Sequence, residues 1–120
     1  MAKILAVDDS PAMRQMVGIT LTGAGHEVEH AADGCEALQK AERAKFDLVI
    51  TDVNMPKMDG ITLVRELRGL TTYKYVPLLV LTTEATAERK QAGKEAGATG
   101  WLVKPFNPEK LLATISRVLR

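Results

Sequence analysis

Four short apolar runs in this chain each end in an acid, a hydroxyl or a lysine. Ile4-Leu5-Ala6-Val7 runs into Asp8-Asp9, and Leu48-Val49-Ile50-Thr51 runs into Asp52. Val76 to Leu81 runs into Thr82-Thr83, and Trp101-Leu102-Val103 runs into Lys104-Pro105. Short runs that are apolar on both faces and alternate with helical patterns read as strands of a buried parallel sheet. Each polar residue then falls at the carboxyl end of its strand, where open α/β sheets place their sites. Three carboxylates, a hydroxyl and an ammonium are therefore expected along one edge of the sheet.

The segments between the runs carry helical signals. Ser10-Pro11 predicts a helix start, since proline costs nothing in a first turn whose N–H has no partner. Met13, Val17 and Leu21 then share one face. Val28 to Ala32 reads as a weaker strand whose polar interruptions suit an edge. Asp33-Gly34 opens a helix with Leu38 and Ala41 on one face. A third strand is predicted from Phe46 to Asp52. Pro56 and Gly60 break the chain after it, and Asp59 caps a helix carrying Ile61, Leu63, Val64 and Leu67. Pro77 to Leu81 is the fourth strand, followed by a polar helix from about Glu84 to Glu95 that Gly97 stops. Gly100 to Val103 is the fifth strand. Asn107-Pro108 starts the last helix, with Leu111, Leu112, Ile115, Val118 and Leu119 facing inward.

Right-handed crossovers between such units put helices on both faces of the sheet. The prediction is one α/β domain over residues 1–120, doubly wound and flavodoxin-like, with five parallel strands in the order 2-1-3-4-5 and five helices. In that order strands 1 and 3 are neighbours at the switch point, so Asp8, Asp9 and Asp52 converge.

Bulk properties narrow the function classes. A chain of 120 residues suits a single core. A net charge of +1 offers no general attraction to nucleic acid or anionic membrane. No apolar run approaches the ~20 residues of a membrane span. Met1-Ala2-Lys3 leads straight into a strand, which predicts no signal peptide. Cys35 is the only cysteine, so no internal disulfide forms, and a cytoplasmic setting is expected.

Three carboxylates held close together repel one another, and either raise each other's pKa or recruit a cation. Oxygen-only ligands favour Mg²⁺ or Ca²⁺ over zinc. His26 and His30 lie near the second strand without ligand spacing. Mg²⁺ usually takes one or two carboxylates, keeps waters and completes its shell with phosphate oxygens. An acidic pocket with one lysine beside it thus suits a phosphoryl group arriving with a metal.

Asp8-Asp9, Asp52, Thr82 and Lys104-Pro105 together resemble the signature of response-regulator receiver domains. The stretch Thr51-Asp52-Val53-Asn54-Met55-Pro56-Lys57-Met58-Asp59-Gly60 is specific to that family, and Val7-Asp8-Asp9-Ser10 with Arg14 and Lys104-Pro105-Phe106 are typical of it. The resemblance runs from Lys3 to Leu119, and Asn54 makes it strongest toward single-domain chemotaxis regulators.

The resemblance implies that Asp52 is the phosphoacceptor. It implies that Asp8, Asp9, Asp52 and the Asn54 backbone carbonyl hold Mg²⁺. Thr82 and Lys104 would bind the phosphoryl group, with a cis peptide at Lys104-Pro105. Trp101 falls at the aromatic switch position, where tyrosine or phenylalanine is more usual. Asn54 and Glu84 would tune dephosphorylation. The implied partners are a chemotaxis-type histidine kinase and a flagellar motor switch protein or another signalling target. Neither nucleic acid nor membrane is among them, and the chain is expected to be a monomer and not an enzyme in its own right. A phosphate sink and a phosphorelay intermediate fit the same residues. A magnesium-dependent phosphatase with an aspartyl nucleophile is a competing reading, but it needs a second aspartate where Asn54 stands. A flavin carrier needs a Ser/Thr/Gly-rich phosphate loop where Asp8-Asp9 stands.

Overall fold

In the computed structural model, which describes residues 1–119, strand and helix alternate along the whole chain. The strands are β1 (Lys3–Val7), β2 (Glu27–Ala31), β3 (Leu48–Thr51), β4 (Leu78–Thr82) and β5 (Gly100–Val103). The helices are α1 (Pro11–Gly23), α2 (Gly34–Arg43), α3 (Gly60–Arg68), α4 (Ala87–Ala96) and α5 (Pro108–Val118), with a short 3₁₀ turn at Thr71–Tyr73. All strand pairs are parallel, and the order is 2-1-3-4-5. This is the flavodoxin-like arrangement the run-and-helix pattern predicts.

Strand alternation builds two cores. Ile4, Ala6, Leu48, Ile50, Leu79 and Leu81 face α1 and α5, where Val17, Leu21, Leu111 and Ile115 meet them. Leu5, Val7, Val49, Leu78 and Val80 face the opposite side, against Ala37, Leu63, Val64, Leu67 and Ala96 of α2, α3 and α4. Burying each Leu, Ile or Val contributes about 1.5–3 kcal/mol before chain entropy is counted. The edge strand β2 is the least buried of the first four, as its polar interruptions require.

Every helix starts on a side-chain cap. Ser10, Asp33, Asp59, Thr86 and Asn107 accept the N–H of Met13, Glu36, Thr62, Arg89 and Lys110 respectively. Helix α4 begins at Ala87, three residues later than its polar pattern suggests. The reason is tertiary: the N–H of Glu84 donates to Thr82 Oγ1, and its carbonyl accepts from Trp101 Nε1. Those bonds hold Glu84 outside the helix. Arg68 pins the far end of the sheet by donating to the carbonyls of Tyr73, Val76 and Gly97 at 2.7, 2.7 and 2.9 Å. Among the described residues no helix is long and apolar enough to cross a membrane.

Candidate functional site

The acidic cluster follows from register. Val7 of β1 pairs with Thr51 of β3, so the residue after each falls on adjacent strands, roughly 4.8 Å apart in a sheet. The ladder runs one step further than the strands: Asp52 N–H donates to Val7 O at 3.0 Å and Asp8 N–H to Ala31 O at 3.1 Å. Asp8 and Asp52 are buried, at 6% and 8% exposure, while Asp9 faces solvent. One carboxylate oxygen from each of the three lies within 4.8 Å of the others.

Lys104 reaches this cluster from β5. Its backbone N–H donates to Thr82 O at 2.8 Å, and the peptide to Pro105 is cis. Its Nζ donates to Asp8 Oδ2 at 2.7 Å and to Asp52 Oδ2 at 3.0 Å. Burial alone pulls the lysine pKa down, but the hydrogen bonds and charges of Asp8 and Asp52 outweigh it and hold the pKa above its usual value. The remaining carboxylate oxygens are also engaged. Asp8 Oδ1 accepts from Ser10 N–H at 2.9 Å, and Asp52 Oδ1 accepts from Val53 N–H at 2.6 Å. Thr82 is fully buried at the end of β4.

The loop after Asp52 folds tightly back on it. Gly60, the first residue of α3, lies so close that a Cβ there would stand 1.8 Å from Asp52 O. Its N–H donates to Val53 O at 2.9 Å. Between them Met58 N–H donates to Pro56 O at 2.7 Å around Lys57, whose φ is 69°. Asn54 stands exposed on this loop.

Trp101 and Glu84 form the far side of the site. The indole is half-buried, and its Nε1 donates to Glu84 O at 2.8 Å. The ring rests on Gly93 of α4, where a Cβ would come within 2.5 Å of Cζ3. Thr82, Glu84 and Trp101 are thus joined through a single peptide segment.

Two histidines and a cysteine lie apart from this chemistry. His26 Nδ1 accepts from Ala2 N–H at 3.1 Å. His30 packs over Gly18 of α1, and burial with the nearby charges of Arg14 and Lys40 lowers its pKa. Cys35 is a free thiol, partly buried, in the first turn of α2.

The donor set fits a hard divalent cation. Asp8, Asp9 and Asp52 offer only oxygen, and an octahedral Mg²⁺ with ligands at about 2.1 Å spans oxygen separations of roughly 3–4 Å.

Sequence reasoning placed the cluster but missed two of its supports. Gly60 reads in the sequence only as a breaker beside the Asp59 cap, and the lack of room for a side chain beside Asp52 O depends on the loop's path. Arg14 reads only as part of a motif, yet its Nη1 donates to Asp8 O at 2.6 Å.

An acidic pocket at the switch point of a flavodoxin-like sheet, with a lysine from the fifth strand closing it, defines a class of carboxylate-centred phosphoryl sites. The response regulator receiver domain pattern matches residues 4–116, and the chain belongs to that family. A solved structure of chemotaxis protein CheY4 from Vibrio cholerae is 62% identical over 98% of each chain, with a TM-score of 0.94. The receiver domain of the sensor histidine kinase PA1611 from Pseudomonas aeruginosa, solved with a magnesium ion coordinated in its active site cleft, is 30% identical, covering 98% of this chain and 97% of that one, with a TM-score of 0.92. Response regulator MprA of Mycobacterium leprae is 43% identical over 98% of this chain and 51% of its own length. The chain thus spans about half the length of the MprA relatives it matches, and 15% of a gliding motility regulatory protein from Myxococcus xanthus that is 42% identical.

Proposed function

We propose that this chain is a phosphorylation-activated switch that takes its phosphoryl group on Asp52. Receiver domains imply a histidine kinase upstream and a target downstream. In the proposed transfer an Asp52 carboxylate oxygen attacks phosphorus, the P–N bond of a kinase phosphohistidine protonated on its other ring nitrogen breaks, and the imidazole leaves as the neutral base. An acyl phosphate forms on Asp52. Asp8, Asp9, Asp52 and the Asn54 carbonyl would hold Mg²⁺, which when bound neutralises charge on the transferring oxygens. Lys104 moves its ammonium from the carboxylates to a phosphoryl oxygen, and Thr82 donates its hydroxyl to another. Asn54 and Glu84 flank the product and tune its hydrolysis.

The observation that carries this reading is the Lys104 ammonium bridging Asp8 and Asp52 at the ends of neighbouring strands. The new phosphoryl group brings about 1.5–2 negative charges. Moving a switch from 1:99 to 99:1 takes about 5.5 kcal/mol. Two or three charge-assisted hydrogen bonds of about 1.5–3 kcal/mol each supply that. Thr82, drawn toward the phosphoryl group, alters the Glu84 segment and with it the indole of Trp101. The α4–β5–α5 face then changes shape for its target.

Similarity to CheY4 favours a chemotaxis output such as a flagellar motor switch protein, with the chain acting as a cytoplasmic monomer. Similarity to response regulator MprA and to the transcriptional regulator RpaA of Synechocystis, each matched over about half of its own length, favours some other output, and a phosphate sink or relay fits the same site residues. Incubation with acetyl phosphate and Mg²⁺, read by intact-protein mass, tests the acceptor. Asp52→Ala should abolish the adduct, and labelling at full level in that variant would move the acceptor elsewhere. A pull-down with and without beryllofluoride separates a motor protein from a kinase-only partner.

A further inference from the structure

We infer that Arg14 is a positioning residue for the metal pocket, which it serves by shaping the Asp8–Asp9 turn without touching the ion. The inference rests on the reading of the acidic cluster as the magnesium site. Four bonds fix that turn. Arg14 Nη1 donates to Asp8 O at 2.6 Å, and Ser10 N–H donates to Asp8 Oδ1 at 2.9 Å. Met13 N–H donates to Ser10 Oγ at 3.2 Å, and Arg14 N–H donates to Ser10 O at 3.0 Å. The first turn of α1 is thereby closed back on the end of β1. Among the described residues only the guanidinium holds the carbonyl of Asp8, and that carbonyl belongs to the peptide that leads into Asp9.

Asp9 needs such help more than its neighbours do. Asp8 and Asp52 are buried, and both carboxylates are tied by Lys104 and by a backbone N–H. Asp9 is exposed, so the direction of its side chain depends on its backbone. Arg14 also lines a small cavity together with Asp8 and Asp52, which places its charge beside the same cluster.

Two effects of the guanidinium therefore oppose each other. As a clamp it aims Asp9 into the pocket and strengthens cation binding. As a positive charge it repels the cation and weakens binding. Partners that orient metal ligands are typically worth about 10–100-fold in affinity. A partly solvated unit charge several ångströms away is worth less, because solvent screens it. The clamp is expected to dominate.

The sign of one measurement decides between them. Calorimetric titration of the full chain with MgCl₂ should give an affinity about 10-fold weaker for Arg14→Met than for the parent. Arg14→Lys keeps the charge and one donor, and should recover part of that loss. Circular dichroism and Trp101 fluorescence in EDTA establish that each variant is folded. Tighter or unchanged Mg²⁺ binding in Arg14→Met would overturn the inference. If that variant does not fold, Arg14→Lys carries the test: binding weakened 2-fold or more supports the clamp, and binding equal to the parent overturns it. A parent that binds no Mg²⁺ would instead overturn the reading of the cluster as a metal site.

Discussion

The two sides of the site are built to different tolerances. On the side of Asp52, β1 and β3 are buried almost throughout, the backbone at Gly60 leaves no room for a Cβ beside Asp52 O, and both buried carboxylates have fixed donors. On the other side, β5 is only partly buried, Val103 is 43% exposed, and Trp101 is half-buried on a helix with few apolar residues. In the proposed function the rigid side would hold the reacting atoms within a narrow range, as phosphoryl transfer requires. The looser side can take a second arrangement at low cost, as a switch requires. The Glu84 segment joins them, since its N–H meets Thr82 and its carbonyl meets Trp101.

Three substitutions probe this contrast. Gly60→Ala strikes the rigid side hardest. A methyl group 1.8 Å from a backbone oxygen cannot be absorbed by a side-chain movement. Destabilisation of about 3 kcal/mol or more is expected, above the usual cost of overpacking because backbone must move. The melting temperature should fall by roughly 12 °C or more. A fall of only a few degrees would show that the acceptor loop is softer than its contacts suggest.

Lys104→Ala spans both sides. It leaves two buried carboxylates without their cation, and should cost about 2–4 kcal/mol in EDTA, near the lower range for a broken buried pair. Added Mg²⁺ should restore more stability to this variant than to the parent. The pH dependence has a definite sign. The folded pKa of Lys104 lies above the ordinary 10.5, so its stabilisation is whole below that pH and is lost as pH climbs through the raised value. The gap between parent and variant should therefore narrow as pH climbs through that raised value, as urea titrations across the alkaline range would show.

Gly93→Ala is the mildest and acts only on the loose side. Its methyl would stand 2.5 Å from Trp101 Cζ3, so the indole must shift. A cost of about 1 kcal/mol is expected. Trp101 emission should change without any phosphoryl donor, while Mg²⁺ affinity stays at the parent value. A coincident change in Mg²⁺ affinity would mean that the two sides are coupled more tightly than the Glu84 link implies.

The same contrast explains what could be read from the chain alone. Runs such as Ile4–Val7 and Leu48–Thr51 are apolar on both faces, so strand order and the convergence of Asp8 and Asp52 follow from general rules of parallel sheets. Ser10, Asp33, Asp59 and Asn107 announce their helices by local cap chemistry. Strand ends shift by one or two residues: β3 starts at Leu48 where Phe46 was expected, and β4 ends at Thr82 where Leu81 was. The start of α4 was misplaced because contacts with Thr82 and Trp101, distant in sequence or in orientation, outbid local helix preference there. Gly60, Gly93 and Arg14 were illegible in their roles for the same reason. Each role is a contact with a backbone or ring that only the closed fold brings near.

The bridge from Lys104 has a further consequence for how such a molecule behaves between stimuli. Two of the three carboxylates already share the single positive charge of an ammonium carried on the chain itself. The quiescent protein thus brings its own placeholder cation. On the proposed function, fluctuations in free magnesium would meet a pocket that is partly answered beforehand, and the response would be reserved for a group that can draw the lysine away.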